Sequence, residues 1–221
     1  MISGFGAAWA AAEELPGELL RVHAAMLWEA AIRLSKGAQI VEIANREGRS
    51  TVMLGAAAEL VGARLTTIGP EAKLLALVDG LHRHPLEVVP ERSRHVRPVW
   101  AKPVDLLYID GKDQSWGVGE DLRWSALMPP DAEILVYDCF SSVGVTSNVL
   151  FKVLSSRRYT YVDRVGSLAR LRLKAPRLAQ RFEILRELPW FADNVLTKAG
   201  LKNDKWPGRP RRPDQSLLND G

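Results

Sequence analysis

Carboxylates and hydroxyls gather at three points of the chain where an apolar run stops. VDLLYID (104–110) ends in Asp110, with Asp113 three residues on. AEILVYD (132–138) ends in Asp138. AQIVEIA (38–44) leads through Glu42 and Ala44 into a loop carrying Gly48, Ser50 and Thr51. Carboxyl groups that meet in one place can share a hard cation such as Mg²⁺, completed by water. Without a cation they repel, which raises the pKa of one and makes it a stronger general base. A glycine followed by hydroxyls at the start of a helix does different work. Gly48 lets the backbone come close to a ligand, and the helix N–H groups with Ser50 and Thr51 offer donors. Each group also has a plain structural reading: Asp110 and Asp138 as caps of strand-end loops, Ser50 as the N-cap of a helix.

Whether these residues meet depends on the elements that carry them. The Ala-rich start MISGFGAAWAAAEEL (1–15) reads as a helix, and Pro16 to Leu34 as a second, ended by Lys36-Gly37. Strands are predicted over 38–44, 64–68, 86–89, 104–110 and 132–138, each short, apolar and unalternated. Helices are predicted over 50–63, from Pro70 to about His82, over 116–127 and over 145–154. YTYVDRV and SLARLRL (159–173) read as two strands joined at Gly166. Alternating strands and helices closed by a hairpin imply an α/β, Rossmann-like three-layer sandwich. Its sheet is seven-stranded and mostly parallel, with an antiparallel terminal hairpin. In open sheets of this kind ligands bind at the carboxyl ends of the strands. Residues 44–51, 69–71, 110–116 and 138–142 are therefore expected to converge on one cleft. Residues 1–175 form the expected domain, with 1–37 its N-terminal helices and 38–173 its sheet core. Residues 176–221 form an extension that ends in the Pro- and Arg-rich WPGRPRRPDQ.

Composition narrows the field further. The chain has 221 residues, 47% of them hydrophobic and 25% charged, which suits a folded domain and not a disordered one. A single cysteine, Cys139, excludes an internal disulfide and a cysteine-based zinc cluster. No apolar run reaches the roughly 20 residues of a membrane span. The start lacks a basic n-region and carries Glu13-Glu14, so a helix is expected there, no signal peptide, and a cytoplasmic location. Charge is uneven: residues 1–151 hold 14 basic and 19 acidic side chains, and residues 152–221 hold 16 and 7. His82, His84 and His95 flank a helix end and a basic loop, and read as solvated surface.

The sequence VEIANREGRST (41–51) resembles the first motif of class I S-adenosylmethionine (SAM)-dependent methyltransferases, in their small, metal-dependent-type O-methyltransferase branch. The run from Val104 to Phe140 resembles the same branch, with Ile109, Asp110, Gly111, Gly117, Val118, Asp121 and Asp138 in their places without a gap. The resemblance spans about residues 17–173. It implies that Glu42, Ala44, Gly48, Ser50, Thr51, Gly69 and Asp110 stand at cofactor-binding positions. It implies also that Asp110 and Asp138 stand where relatives bind a divalent metal. Asp110, Asp113 and Asp138 would then handle the acceptor. Ser93 falls near the place where relatives contact the adenine or ribose.

Three positions depart from that pattern. Ala44 replaces the first loop glycine. Gly69 stands where an acid usually accepts hydrogen bonds from the ribose hydroxyls, and Glu71 beyond it reads as a helix-start acid. Asp113 replaces a common histidine. Next to Asp138 the third metal ligand of the relatives is missing, since Tyr137 alternates away and Cys139 suits a hard ion poorly.

The extension adds a separate question. Leu178, Phe182, Leu185 and Leu188 form one stripe beside Arg177, Arg181 and Arg186, followed by Trp190-Phe191. Such a segment, within residues 174–212, either lies on an anionic membrane surface or packs on the sheet or on a second copy in a homodimer. No fold or stacking platform for nucleic acid is recognisable, so no specific nucleic-acid partner is expected. Two functions follow. One is SAM-dependent O-methyl transfer to a small-molecule acceptor, a hydroxyl of a sugar, glycolipid or similar polar compound. The other is a methyltransferase-fold scaffold that no longer catalyses.

Overall fold

The computed structural model describes residues 4–43, 47–70, 86–110 and 117–200. Two helices, α1 (Phe5–Glu13) and α2 (Arg21–Ile32), precede the sheet. The sheet consists of β1 (Gln39–Ile43), β2 (Arg64–Ile68), β3 (Leu86–Val89), β4 (Leu106–Asp110), β5 (Glu133–Tyr137), β6 (Tyr159–Val165) and β7 (Leu168–Leu173). Its seven strands run in the order β3-β2-β1-β4-β5-β7-β6. The first five pair in parallel, and β7 pairs antiparallel with both β5 and β6. Chain order reverses between β1 and β4, which makes their carboxyl ends the switch point of the sheet.

All five residues of β1 are buried, as a central parallel strand requires. The period of two deals its side chains to opposite layers. Ile40, Leu106, Tyr108, Leu135 and Tyr137 pack under α1, α2 and α3 (Arg49–Val61). Val41, Ile43, Leu107, Ile109 and Val136 pack under the opposite layer, which includes Trp124, Val149 and Ile184. A fully buried Leu or Ile contributes about 2 kcal/mol, so both layers are anchored by the same strands.

The remaining helices are α4 (Ser93–Val96), α5 (Val118–Asp121), α6 (Val143–Ser155), α7 (Leu178–Arg181) and α8 (Leu188–Lys198). A 3₁₀ stretch, Leu122–Leu127, continues α5, and another, Glu183–Glu187, joins α7 to α8. The expected helices from Pro70 to His82 and at Trp116 lie wholly or partly outside the described residues, as do Ala44, Glu71, Asp113 and residues 201–221.

Two helix starts differ from expectation. α2 begins at Arg21 and not at Pro16, because Gly17 takes φ +137° and Leu20 is extended, so residues 14–20 cross the sheet end as an irregular strap. α3 is capped by Gly48 in the left-handed conformation (φ 85°), not by Ser50, which sits inside the first turn. Glycine reaches that φ without the Cβ clash any other residue meets.

Candidate active site

Strand register decides which polar groups meet. Thr67, Glu42 and Tyr108 are successive partners across β2, β1 and β4, and therefore point to one face, under the first turn of α3. There Ser50 Oγ donates to Glu42 Oε1 (2.5 Å) and Thr51 Oγ1 donates to Oε2 (2.7 Å). Thr67 hydrogen-bonds the same carboxyl, which is fully buried. Burial raises the Glu42 pKa, and the three hydroxyl bonds oppose that rise without cancelling it. Glu42 thus ties the loop to the sheet from within. Of the two roles the resemblance implied for it, loop and cofactor orientation, the geometry supplies the first.

The cleft itself opens at the switch point. Its walls are the strap at Gly17, Glu18 and Leu19, the loop at Glu47, Gly48, Arg49 and Ser50, and Tyr108 with Asp110 on β4. Arg49 fastens the strap, donating to the carbonyls of Leu15 (2.7 Å), Leu19 (3.2 Å) and Glu13 (3.2 Å). A Cβ at Gly17 would stand 2.6 Å from Glu47 Oε2, so the close approach of strap and loop needs glycine there. Tyr137 Oη donates to the Glu18 carbonyl (3.1 Å) and closes the strap on the far side. Burial raises the Tyr108 phenol, and the charges of Asp110, Glu42 and Tyr137 raise it further. Burial raises the Tyr137 phenol first, and the charges of Asp138 and Asp110, its register partner on β4, raise it further.

Asp138 lies beyond that ring, in a loop with two left-handed non-glycine residues, Asp138 (φ 59°) and Phe140 (φ 64°). Each such residue costs on the order of 1 kcal/mol, and the loop is held accordingly. Ser141 Oγ donates to Asp138 Oδ1 (2.8 Å), and the Phe140 amide donates to Thr146 Oγ1 (2.9 Å). From α8, Asn194 Nδ2 donates to the Phe140 carbonyl (3.1 Å) and Lys198 Nζ to the Ser141 carbonyl (2.9 Å).

The structure brings Gly48, Ser50 and Asp110 together, with Glu42 and Thr51 bonded behind them. It does not bring Gly69 to the same cleft wall: its amide donates to the Val89 carbonyl (3.1 Å), and it offers no acid for a ribose. Ser93, at the start of α4, donates to buried Asp121, whose pKa burial lifts to about 6. His95 is exposed and faces Glu91 (3.7 Å). Cys139 is buried and its thiol pKa is raised by that burial, so it offers no ready thiolate. Sequence reasoning missed Glu18, Arg49, Tyr108, Tyr137 and His23. Tyr108 was within reach, because it alternates with Asp110 on β4 and shares a face with Glu42. His23 lies on α2. It stacks edge-on against Tyr137 (5.2 Å), and burial lowers its pKa to about 4, so it is neutral at pH 7.

A metal fits these residues poorly. Among the described residues no group of three or more His, Cys, Asp or Glu is placed to hold an ion, and Asp113 lies outside them. SAM fits better. It carries an ammonium and a sulfonium, which suit the acids at Glu18, Glu47 and Asp110, and a carboxylate, which suits the first turn of α3.

A methyltransferase-domain family model matches residues 41–139. No curated protein sequence matches the chain. Among solved structures, the O-methyltransferase TomG from Streptomyces achromogenes, in complex with SAM, is 21% identical over 78% of this chain and 89% of its own, with a TM-score of 0.58. Cofactor-bound Rv0187 from MTB is 22% identical over 78% and 88%, with a TM-score of 0.59. The SAH-bound methyltransferase PaMTH1 of Podospora anserina is 12% identical over 77% and 87%, with a TM-score of 0.62. The chain has the fold of class I SAM-dependent methyltransferases.

Proposed function

We propose that the protein transfers a methyl group from SAM to a hydroxyl of a small polar acceptor, a sugar or glycolipid. The observation that carries this reading is the cleft at the switch point, where the Gly48 loop, the start of α3 and Asp110 line one hollow. Bound there, SAM supplies a methyl group activated by a positive sulfur. The chain's own groups do the rest. Gly48 and the first turn of α3 present N–H donors to the carboxylate end. Glu18, Glu47 and Asp110 offset the positive end. Asp110, in register with Tyr137 across β4 and β5, takes up the proton of an acceptor hydroxyl as the C–O bond forms and the S–CH₃ bond breaks, and Asp138 follows Tyr137 at the end of β5. Neutral His23 packs behind Tyr137 and adds no positive charge to a site meant for a cationic ligand.

The test is release of S-adenosylhomocysteine when the full chain is mixed with SAM and a panel of sugars and glycolipids. Turnover is expected with the wild type and a loss of at least about 100-fold in Asp110→Asn, the scale of a lost general base. Unchanged turnover in that variant removes Asp110 from the site. A second reading, a binding scaffold of the same fold, draws on Gly69. Gly69 has no acid to take the ribose contact, and among the described residues that follow β2 directly, Gly69 and Pro70, none supplies one. It predicts no SAM binding at all, and so parts from the first reading before any acceptor is known.

A further inference from the structure

We propose that the outer face of α6, α7 and α8 docks on an anionic lipid surface. Two contacts show that these helices share one layer. Arg181 Nε donates to the Leu154 carbonyl (2.6 Å), which sets α7 against the end of α6. Lys198 Nζ reaches the Ser141 carbonyl (2.9 Å), which sets the end of α8 beside the start of α6. Inward, Ile184, Trp190 and Phe191 pack on the sheet core. Outward, Phe151 (68% exposed), Leu178 (75%) and Phe182 (51%) stand in solvent. Large side chains left this open on neighbouring helices of one layer mark an interaction surface.

Charge selects the occupant. Arg177 and Arg186 are exposed beside these side chains, and residues 152–221 hold 16 basic against 7 acidic groups. The cations of the nearby hairpin are already matched, Arg170 by Asp163 (2.8 Å) and Arg172 by Glu133 (3.0 Å). Residues 152–173 hold 6 basic and 1 acidic side chain and residues 174–200 hold 5 and 3, so the cationic excess of this layer lies at the end of α6, with Lys152, Arg157 and Arg158, as well as on the helical extension. Two copies of such a face repel each other, whereas an anionic bilayer attracts the arginines and accepts the aromatic and aliphatic tips. Among the described residues no helix is long and apolar enough to cross a membrane, so the contact is peripheral. The loop at 138–142 lies at the rim of the docked face. The docking stands apart from the methyltransferase reading.

Co-sedimentation of the full chain with vesicles tests it, phosphatidylcholine alone against phosphatidylcholine with phosphatidylglycerol. Binding is expected to the anionic vesicles only, falling as salt rises. Arg177→Glu with Arg186→Glu is expected to weaken it about tenfold or more. Leu178→Ser with Phe182→Ser is expected to weaken it about tenfold at unchanged melting temperature, since both positions are exposed. No sedimentation with anionic vesicles at low salt overturns the proposal. So does binding that survives the Leu178/Phe182 pair, which would place it in charge elsewhere in the chain. A dimer in light scattering that the same pair dissolves would assign the face to a second copy instead. SAM titration of the same preparations keeps the two readings separate, because vesicle binding without SAM binding leaves this one standing.

Discussion

At the end of β1, Glu42 is sealed from solvent and bonded by hydroxyls from both the adjoining strand and the helix that follows. At the end of β5, Asp138 is half-exposed and sits in left-handed backbone, steadied by a serine in its own loop and by a helix from outside the core domain. At the first strand end the polar groups bind one another, and the loop that follows, from Glu47 to Ser50, faces the cleft. The second leaves its carboxylate half-exposed and tolerates local strain, with the loop held by bonds to its backbone. The loop's support comes from the α8 segment, which lies outside the resemblance.

Breaking the Glu42 end should cost most. Glu42→Ala removes from the core the acceptor shared by the Ser50, Thr51 and Thr67 hydroxyls, and urea unfolding is expected to show a loss of about 3–5 kcal/mol. Glu42→Gln keeps an acceptor and removes the buried charge, so it is expected to stay within about 1 kcal/mol of wild type. Equal losses in the two variants would mean that the charge itself is needed.

The pH dependence of stability sharpens the same point at Asp121, the buried acid bonded to Ser93. Its folded pKa of about 6 lies above the ordinary value of 3.8. The unfolded chain therefore releases the proton first, and the stability present below pH 3.8 is lost as pH rises to about 6. Measured against Asp121→Asn, the wild type is expected to lose about 3 kcal/mol across that window. Parallel curves for the two proteins would contradict the assignment. The smallest effect is expected at the Asp138 loop. Asn194→Ala removes one bond to the Phe140 carbonyl and should lower stability by about 1 kcal/mol in the same assay. A loss as large as that of Glu42→Ala would erase the difference between the two strand ends.

Much of this was legible before any coordinates. β2 and β3 fall where the apolar, β-branched runs placed them, and the hairpin turns at Gly166 as expected. Unbroken hydrophobicity is a direct consequence of burial on both faces, so parallel strands announce themselves. The strap did not. Pro16 suits a first helical turn, yet Gly17 stands close to Glu47, and that tertiary approach overrides the local preference. Ser50 looked like a cap because capping is local, whereas its actual partner, Glu42, lies across a strand-to-helix turn. The carboxylates of the site were visible as strand-end letters. That Tyr137 stands beside Asp110 was not, because this follows from the pairing of β4 with β5 and not from its own strand.

Calorimetric titration of SAM into the wild-type chain and into Gly48→Val tests the central claim, that the hollow between β1 and β4 is a SAM site. Gly48 sits at φ 85°, where a β-branched side chain is strained and crowds the cradle. Micromolar binding by the wild type and a loss of about 30-fold or more in the variant is the expected result. No heat with millimolar SAM, or the same affinity in both proteins, would contradict it.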